Sequence, residues 1–444
     1  MIKKGIYWLT TDLRLDDNQA LMRAAQEMDE LSFIYCAQAP LRIRKFQVGQ
    51  SISTNRQRFI NDSLKDLQAQ LEPMGQHIVI CEQPQQSLSD IISDNQITHI
   101  YRSADQHCLD NQIWDILKAE HQHTQFIEVG DNRLLLPSQL PFDIENLPNS
   151  FSKFRRKVET LDIFPPQSKV VFLPRATLAP QLWPATFQSF ANSCDTDFIG
   201  GETAGLLHIQ QYFHNKLASS YKETRNGLEG MDYSTKFSPW LAHGCVSVRR
   251  IIQTLRQYEA DVIANDSTYW IFFELLWREY FYWYAEKYQD QMIFFSGIKE
   301  RTPTTSFYPE RFKKWCQGTT PFPIVNACMR QLNATGYMSN RGRQLVASCF
   351  VHELSLDWRY GAAYMEQQLL DFDLGSNWGN WQYLAGVGAD PRGHRQFDLA
   401  KQTQTYDPKH EFINRWHEHY DNLPLDSSDP SDWPIDLQPT EITA

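Results

Sequence analysis

One stretch of the sequence, residues 335–383, concentrates side chains that can hold and serve a planar cofactor. Its polar members are two arginines, two aspartates two positions apart and two asparagines: Arg341, Arg343, Asp371, Asp373, Asn340 and Asn377. Three indoles lie among them: Trp358, Trp378 and Trp381. Such polar groups can fix a flat, hydrogen-bonding ring, and indoles can stack on it or pass electrons. The chain has no Ser/His/Asp, HExxH or Walker pattern, so we expect the chemistry to belong to a bound cofactor.

A second segment gathers hydroxyls and one ammonium around Pro239. Its members are Ser234, Thr235, Lys236 and Ser238. A proline suits the first turn of a helix, which leaves free backbone N–H groups beside these side chains. The arrangement is suited to a pyrophosphate. An ordinary helix N-cap, which needs only one hydroxyl, is the alternative.

The segment 269–284 has a helical pattern, with Glu274 and Arg278 four residues apart on one face and Trp277 beside them. One interpretation is an i,i+4 ion pair on a buried, aromatic helix. The functional interpretation is that Glu274 accepts hydrogen bonds from a base or cofactor, while Trp277 offers a plane for stacking.

Composition limits the class of protein. The chain has 444 residues, which is typical of two domains, and 13 % of them are aromatic. The 8 cysteines form no CxxC pair and no metal-ligand spacing, which predicts reduced thiols in a cytoplasmic protein. The start Met-Ile-Lys-Lys leads directly into a strand-like segment, and no apolar run is long enough to span a membrane. We expect a cytoplasmic monomer with no membrane partner.

The formal net charge of −11 argues against non-specific coating of nucleic acid. It leaves room for local basic patches, because phosphates are contacted by patches rather than by total charge. The candidate patches are Lys153–Lys157, Arg341 with Arg343, and Arg392 with Arg395 and Lys401. A solvated surface is the alternative for each of them.

The order of elements predicts two domains and a connector. Short strand-like runs alternate with helical patterns such as 55–71 in the first part of the chain. The runs lie at 5–9, 31–36, 77–81, 98–101 and 125–129. This order predicts a doubly wound parallel sheet over residues 1–130. No GxGxxG follows a strand, so this domain need not hold a dinucleotide. Residues 131–204 are rich in proline and are predicted to be a long connector. Residues 205–422 are predicted to be a larger all-α domain, and residues 423–444 a disordered tail.

Together these segments resemble the photolyase/cryptochrome family, and specifically its DASH-type cryptochromes. The resemblance spans most of the chain. Its motifs are GIYWLTTDLRLDDN, YKETRNGL, DYSTKFSPWLAHG, ELLWREYF, TGYMSNRGRQLVAS, LDWRYG, DLGSNWGNWQYLAGVGADPR and KQTQTYDP. The family has an N-terminal α/β antenna domain joined by a long loop to a helical domain that holds a U-shaped FAD, and we expect this architecture here.

The resemblance also implies roles for individual residues. The implied flavin contacts are Tyr221, Ser234, Thr235, Lys236, Ser238, Arg278, Asn340, Arg343, Asp371, Asp373 and Asn377. Glu274, Trp277 and Asn340 match positions that meet the pyrimidine dimer in photolyases. Trp381 and Trp358 match the inner two members of the photoreduction relay, for whose surface end Phe307 and Trp315 are the nearest candidates. Methenyltetrahydrofolate is a further expected antenna, with the segment 107–110 in place of the family's acidic pair.

The function that the resemblance implies is light-dependent splitting of cyclobutane pyrimidine dimers in UV-damaged DNA, preferably single-stranded. The (6-4) photolyases have histidine where this chain has Asn340, which argues against that activity. The alternative is a blue-light photoreceptor with the same flavin and little repair. Signalling members use an extended C-terminal tail, and only about twenty residues follow Leu423 here, which favours repair.

Overall fold

The structure is a computed structural model that describes residues 2–37, 46, 52–104, 108–130, 132–188, 197–389 and 396–416. The predicted tail, the patch Arg392 with Arg395, and the side chains of the antenna segment 107–110 lie outside the described residues. The domain bounds remain predictions.

The N-terminal part is a five-stranded, fully parallel sheet in the order β3-β2-β1-β4-β5. The strands are β1 (Lys4–Leu9), β2 (Glu30–Cys36), β3 (Ile78–Cys81), β4 (His99–Ser103) and β5 (Gln125–Val129). Alternate residues of β1 enter different cores, with Tyr7 and Leu9 in one and Ile6 and Trp8 in the other. Helices therefore cover both faces, and the predicted doubly wound sheet is confirmed.

Four helices connect the strands: α1 (Gln19–Glu27), α2 (Thr54–Leu71), α3 (Pro84–Asp94) and α4 (Cys108–Glu120). Side-chain caps determine where two of them begin, because Asn18 accepts from the backbone N–H of Leu21, and Ser53 accepts from that of Arg56. Helix α2 begins one residue before the predicted start and ends at the predicted residue.

Residues 132–188 of the proline-rich segment contain only two α-helices, both short: α5 (Phe151–Val158) and α6 (Ala185–Gln188), as its prolines require. It is anchored to the helical part by the buried Glu279, which accepts hydrogen bonds from the backbone N–H groups of Leu134 at 2.8 Å and Leu135 at 3.1 Å. Burial raises the pKa of this carboxyl group.

The rest of the described chain is helical. Its helices are α7 (Glu202–His214), α8 (Tyr221–Thr224), α9 (Ser238–Ala242), α10 (Val248–Asp261), α11 (Asp266–Tyr288), α12 (Pro309–Gln317), α13 (Pro323–Thr335), α14 (Asn340–Ser348), α15 (Trp358–Gln368), α16 (Leu374–Leu384), α17 (Leu399–Tyr406) and α18 (Glu411–Arg415). Helix α11 packs against α16, α8 and α5, and residues of α11, α8 and α16 line the candidate site. Within the ranges given above, no helix combines the length and the apolar character needed to cross a membrane.

Two ion pairs join the loop after β1 to helix α10. Asp17 and Arg249 form a fully buried bidentate pair with N–O distances of 3.0 and 3.1 Å. Asp16 and Arg250 form a second, partly exposed pair. Because breaking a buried pair leaves an uncompensated charge, these contacts hold the sheet and the helical part in one relative position.

Candidate functional site

A cavity of about 200 Å³ lies between α8, α9, α11 and the start of α16. Most of the residues implied to hold the flavin line it: Tyr221, Thr235, Ser238, Arg278, Arg343, Asp371 and Asp373. Glu274, implied to meet the dimer, lines the same cavity. Its remaining walls are largely apolar: Phe237, Leu241, Ala242, Ile271 and Leu275.

A network centred on Asp371 forms the charged wall of the cavity. Both carboxylate oxygens of Asp371 accept from Nη2 of Arg343, at 2.9 and 2.7 Å, and Oδ2 also accepts from Oγ of Ser238 at 2.6 Å. Asp371 is thus the partner of Arg343, and Asp373 is not. Hydrogen bonds between charged groups are the stronger kind, so this network presents Arg343 and Ser238 in fixed positions.

Asp373 has a different local role, because it caps α16. Its Oδ1 accepts from the backbone N–H of Ser376 at 2.7 Å. One turn further on, the Asn377 side chain donates through Nδ2 to the carbonyl of Ala362 at 3.0 Å. The remaining amide oxygen of Asn377 can accept from a ring N–H without titrating.

The segment around Pro239 folds as predicted, with the proline in the first turn of α9. Lys236 has a positive φ of 55°, and its ammonium lies 3.7 Å from the ring centre of Tyr233 and 4.6 Å from that of Tyr337. It lines a second, larger cavity of about 580 Å³ rather than the first one. Burial and the charge of Arg343 lower the pKa of Lys236 to about 7.

Helix α11 corrects one sequence-based interpretation. Glu274 and Arg278 do not form the i,i+4 ion pair: Glu274 pairs with Arg225, whereas Arg278 donates through Nη1 to the carbonyl of Asn132 at 3.0 Å. The two side chains diverge because each has a partner on a different segment. Both still line the cavity.

Trp277 and Asn340 lie outside the residues that line this cavity. The Trp277 indole is half-buried, and the ring of Phe151 stacks on it with 3.8 Å between ring centres and an interplanar angle of 12°. Asn340 is exposed at the start of α14. Their contacts with flavin or dimer remain predictions.

The tryptophans of the predicted relay are buried. The indole of Trp381 packs against Gly361 of α15, where an added Cβ would lie 2.3 Å from the ring. Trp358 begins α15, and its ring centre is 5.8 Å from that of Trp378. Trp315 is fully buried, so it is not the surface end of a relay.

Three residues of the site were missed by the sequence reasoning. Arg225 holds Glu274 and lies over the ring of Trp270 at 4.4 Å. Burial raises the pKa of the Tyr337 hydroxyl to about 12, and its interactions with Ser234 and Ser238 act in the opposite direction. Phe151 covers one face of Trp277. Arg225 and Tyr337 stand inside the quoted motifs, but their partners are distant in sequence, so no spacing rule could have found them.

The chemistry of the cavity fits FAD. Hydroxyl groups of Tyr221, Thr235 and Ser238 and the guanidinium of Arg278 are suited to phosphate and ribityl oxygens. Aliphatic walls suit the flat ring, beside which the Arg343–Asp371 pair would supply hydrogen bonds. Asn377 lies outside the residues that line the cavity, and its contact with the ring remains a prediction. When bound there, FAD would supply light absorption and one-electron chemistry.

Comparison with known proteins identifies the family of the chain. The family described as FAD binding domain of DNA photolyase matches residues 270–440, and the DNA photolyase family matches residues 5–171. Cryptochrome DASH of Vibrio parahaemolyticus is 52% identical over 98% of this chain and 98% of its own length. Cryptochrome DASH of Idiomarina loihiensis is 49% identical over 97% of this chain and 96% of its own length.

A solved cryptochrome structure has the same fold as this chain. The Synechocystis sp. cryptochrome superposes with a TM-score of 0.88 at 36% identity, over 96% of this chain and 90% of that one. The predicted α/β and helical architecture is confirmed by this match and by the observed sheet. The chain belongs to the photolyase/cryptochrome family, among its DASH-type cryptochromes, and it carries that family's FAD-binding domain.

Proposed function

We propose that this protein is a light-dependent DNA repair enzyme that splits cyclobutane pyrimidine dimers, with single-stranded DNA as its preferred substrate. One observation carries the proposal: Glu274, the implied dimer contact, lines the same cavity as Ser238, Arg278 and the Arg343–Asp371 pair. The proposed dimer contact and the proposed cofactor contacts are therefore adjacent. FAD held by these residues would supply, in its reduced and light-excited form, the electron for splitting of this kind.

Arg225 fixes the position of the Glu274 carboxylate. The ion pair is partly exposed, with side-chain exposures of 21% for Arg225 and 29% for Glu274, and Glu274 lines the cavity. A carboxylate held this way can accept hydrogen bonds from the N–H groups of a flipped base. If its contact strengthens as charge develops on the dimer, it raises the rate of splitting as well as the affinity.

Helix α5 supports a DNA path beside this cavity. Phe151 at its start stacks on Trp277, so the helix borders α11. Its basic residues Lys153, Arg156 and Lys157 are exposed, as phosphate contacts require. Single-stranded DNA avoids the unpairing cost of base flipping, which is the physical reason for the proposed preference.

The proposal is tested with two variants of α11 and a control on the same helix. Trp277→Ala should weaken binding of a dimer-containing single strand roughly tenfold, because a stacking plane is worth ~1–3 kcal/mol. Glu274→Gln should lower repair per absorbed photon more than it lowers binding. Glu286→Gln is the control, because Glu286 is also paired with an arginine, Arg133, but lies outside the cavity lining.

The outcomes separate the candidate functions. Loss of repair in Glu274→Gln with normal repair in Glu286→Gln supports the assignment. Normal repair in both α11 site variants would make Glu274 and Trp277 part of the packed core. A wild-type protein that binds FAD and repairs nothing would favour the photoreceptor.

A further inference from the structure

An unassigned indole–carboxylate pair lies beside the predicted relay. Trp378 is 2% exposed, and its Nε1 donates to Oε2 of Glu366 at 2.7 Å. The ring of Trp378 meets that of Trp358 edge-on, with 5.8 Å between centres and an interplanar angle of 76°. Glu366 is itself only 6% exposed.

The partner of each indole N–H distinguishes Trp378 from its neighbours. Trp358 donates to the carbonyl of Phe295 at 3.1 Å, and Trp315 donates to that of Val346 at 3.1 Å. A neutral carbonyl is a poor proton acceptor, whereas a carboxylate can both stabilise a positive indole and take its proton.

Two other indoles of the described chain donate to carboxylates, namely Trp283 to Glu279 and Trp416 to Glu229. No ring contact between either of them and Trp358 or Trp381 is present in the described part of the chain. Trp378 therefore combines a proton acceptor with direct contact to a relay tryptophan.

A buried arginine lies beside Glu366. Arg56 donates through Nη1 to the backbone carbonyl of Glu366 at 2.8 Å, and its positive charge interacts with the Glu366 carboxylate. Arg56 is buried, 3% exposed, so solvent screens this attraction little.

We propose that Trp378 and Glu366 extend the relay as a site that takes over the oxidised state from Trp358. One electron passes from Trp378 to oxidised Trp358, which restores Trp358. The Nε1 proton of Trp378 moves to Oε2 of Glu366, which leaves a neutral indolyl radical beside a neutral carboxylic acid. An external thiol then supplies one electron to Trp378, releases its own proton to solvent and is left as a thiyl radical. The proton held by Glu366 returns to Nε1, which restores both Trp378 and the Glu366 carboxylate.

This inference rests on the photoreduction relay that accompanies the proposed function. It gives Trp378 the role of a redox site and Glu366 that of a positioning and proton-accepting residue. Proton loss would make the return of the electron slow, because recombination would first require the proton to move back.

The test uses the FAD-loaded protein, illuminated with blue pulses and followed by transient absorption and electron paramagnetic resonance. Wild type should give a neutral indolyl radical whose decay slows in D₂O. In Glu366→Gln the radical should remain a cation and recombine roughly tenfold faster or more, since a charge-assisted hydrogen bond is lost. In Trp378→Phe the long-lived radical should fall by a similar factor.

Trp283→Phe is the matched control, because it removes a buried indole–carboxylate pair outside the relay, and it should behave as wild type. The isosteric Glu366→Gln keeps the test decisive if Trp378→Phe fails to fold. If Glu366→Gln photoreduces its flavin normally and its Trp378 radical has the same decay rate and protonation state as in wild type, this inference is overturned and the relay itself is not. Absence of any photoreduction in wild type would instead overturn the relay on which it rests.

Discussion

Replacing Asp371 with asparagine should weaken FAD binding without unfolding the protein. The carboxylate accepts both from Arg343 and from Ser238, and asparagine keeps its shape but removes its charge. A hydrogen bond to a charged group contributes ~1.5–3 kcal/mol. The Arg343 side chain is 26% exposed towards the cavity, so screening favours the lower half of that range, ~1.5–2 kcal/mol. At ~1.4 kcal/mol per decade, the dissociation constant of FAD should rise roughly ten- to thirtyfold.

The assay is the recovery of free-flavin fluorescence on serial dilution of the FAD-loaded protein. Asp357→Asn is the control, because Asp357 also pairs with an arginine, Arg359, and is 3% exposed, yet lies outside the cavity lining. Equal dissociation constants for wild type and Asp371→Asn would refute the idea that this network holds the cofactor. An equal loss in Asp357→Asn would show a general loss of stability instead.

Three further predictions follow from buried groups elsewhere. Trp381→Phe should retain FAD but photoreduce it much more slowly, and an unchanged rate in flash photolysis would transfer its role to another aromatic residue. The pKa of Lys236 is lowered from 10.5 to about 7, so between these pH values the unfolded chain binds a proton that the folded chain lacks. The free energy of unfolding should therefore rise with pH across that window. Urea titrations at several pH values should show a flatter rise for Lys236→Met than for wild type. Asp17→Asn leaves the buried Arg249 without its charged partner and should lower the free energy of unfolding by ~3–5 kcal/mol, whereas a change under ~1 kcal/mol in urea unfolding would contradict the buried pair.

The fold was largely predictable because its signals are local. Each strand of the sheet is a short apolar run between helical patterns, and all five predicted strands are within two residues of the observed bounds at either end. The prolines of the connector and Pro239 at the start of α9 act through the backbone of their own segment.

The site was predictable as a set of residues but not as a set of contacts. Glu274 and Arg278 have the right spacing for an ion pair, yet Arg225 and the carbonyl of Asn132 bind them instead. Those partners come from segments 49 and 146 residues away, and tertiary packing alone brings them together. The same reason explains why Lys236, next in sequence to residues of the flavin cavity, lines a different cavity.

Repair yield on a defined substrate tests the central claim most directly. The chemically reduced, FAD-loaded protein is illuminated with a single-stranded oligonucleotide that carries one thymine dimer, and repaired strands are counted per absorbed photon beside a dark control and a double-stranded substrate. We predict light-dependent repair that is more efficient on the single strand. Fully reduced protein that binds this strand and repairs none of it under illumination would contradict the account.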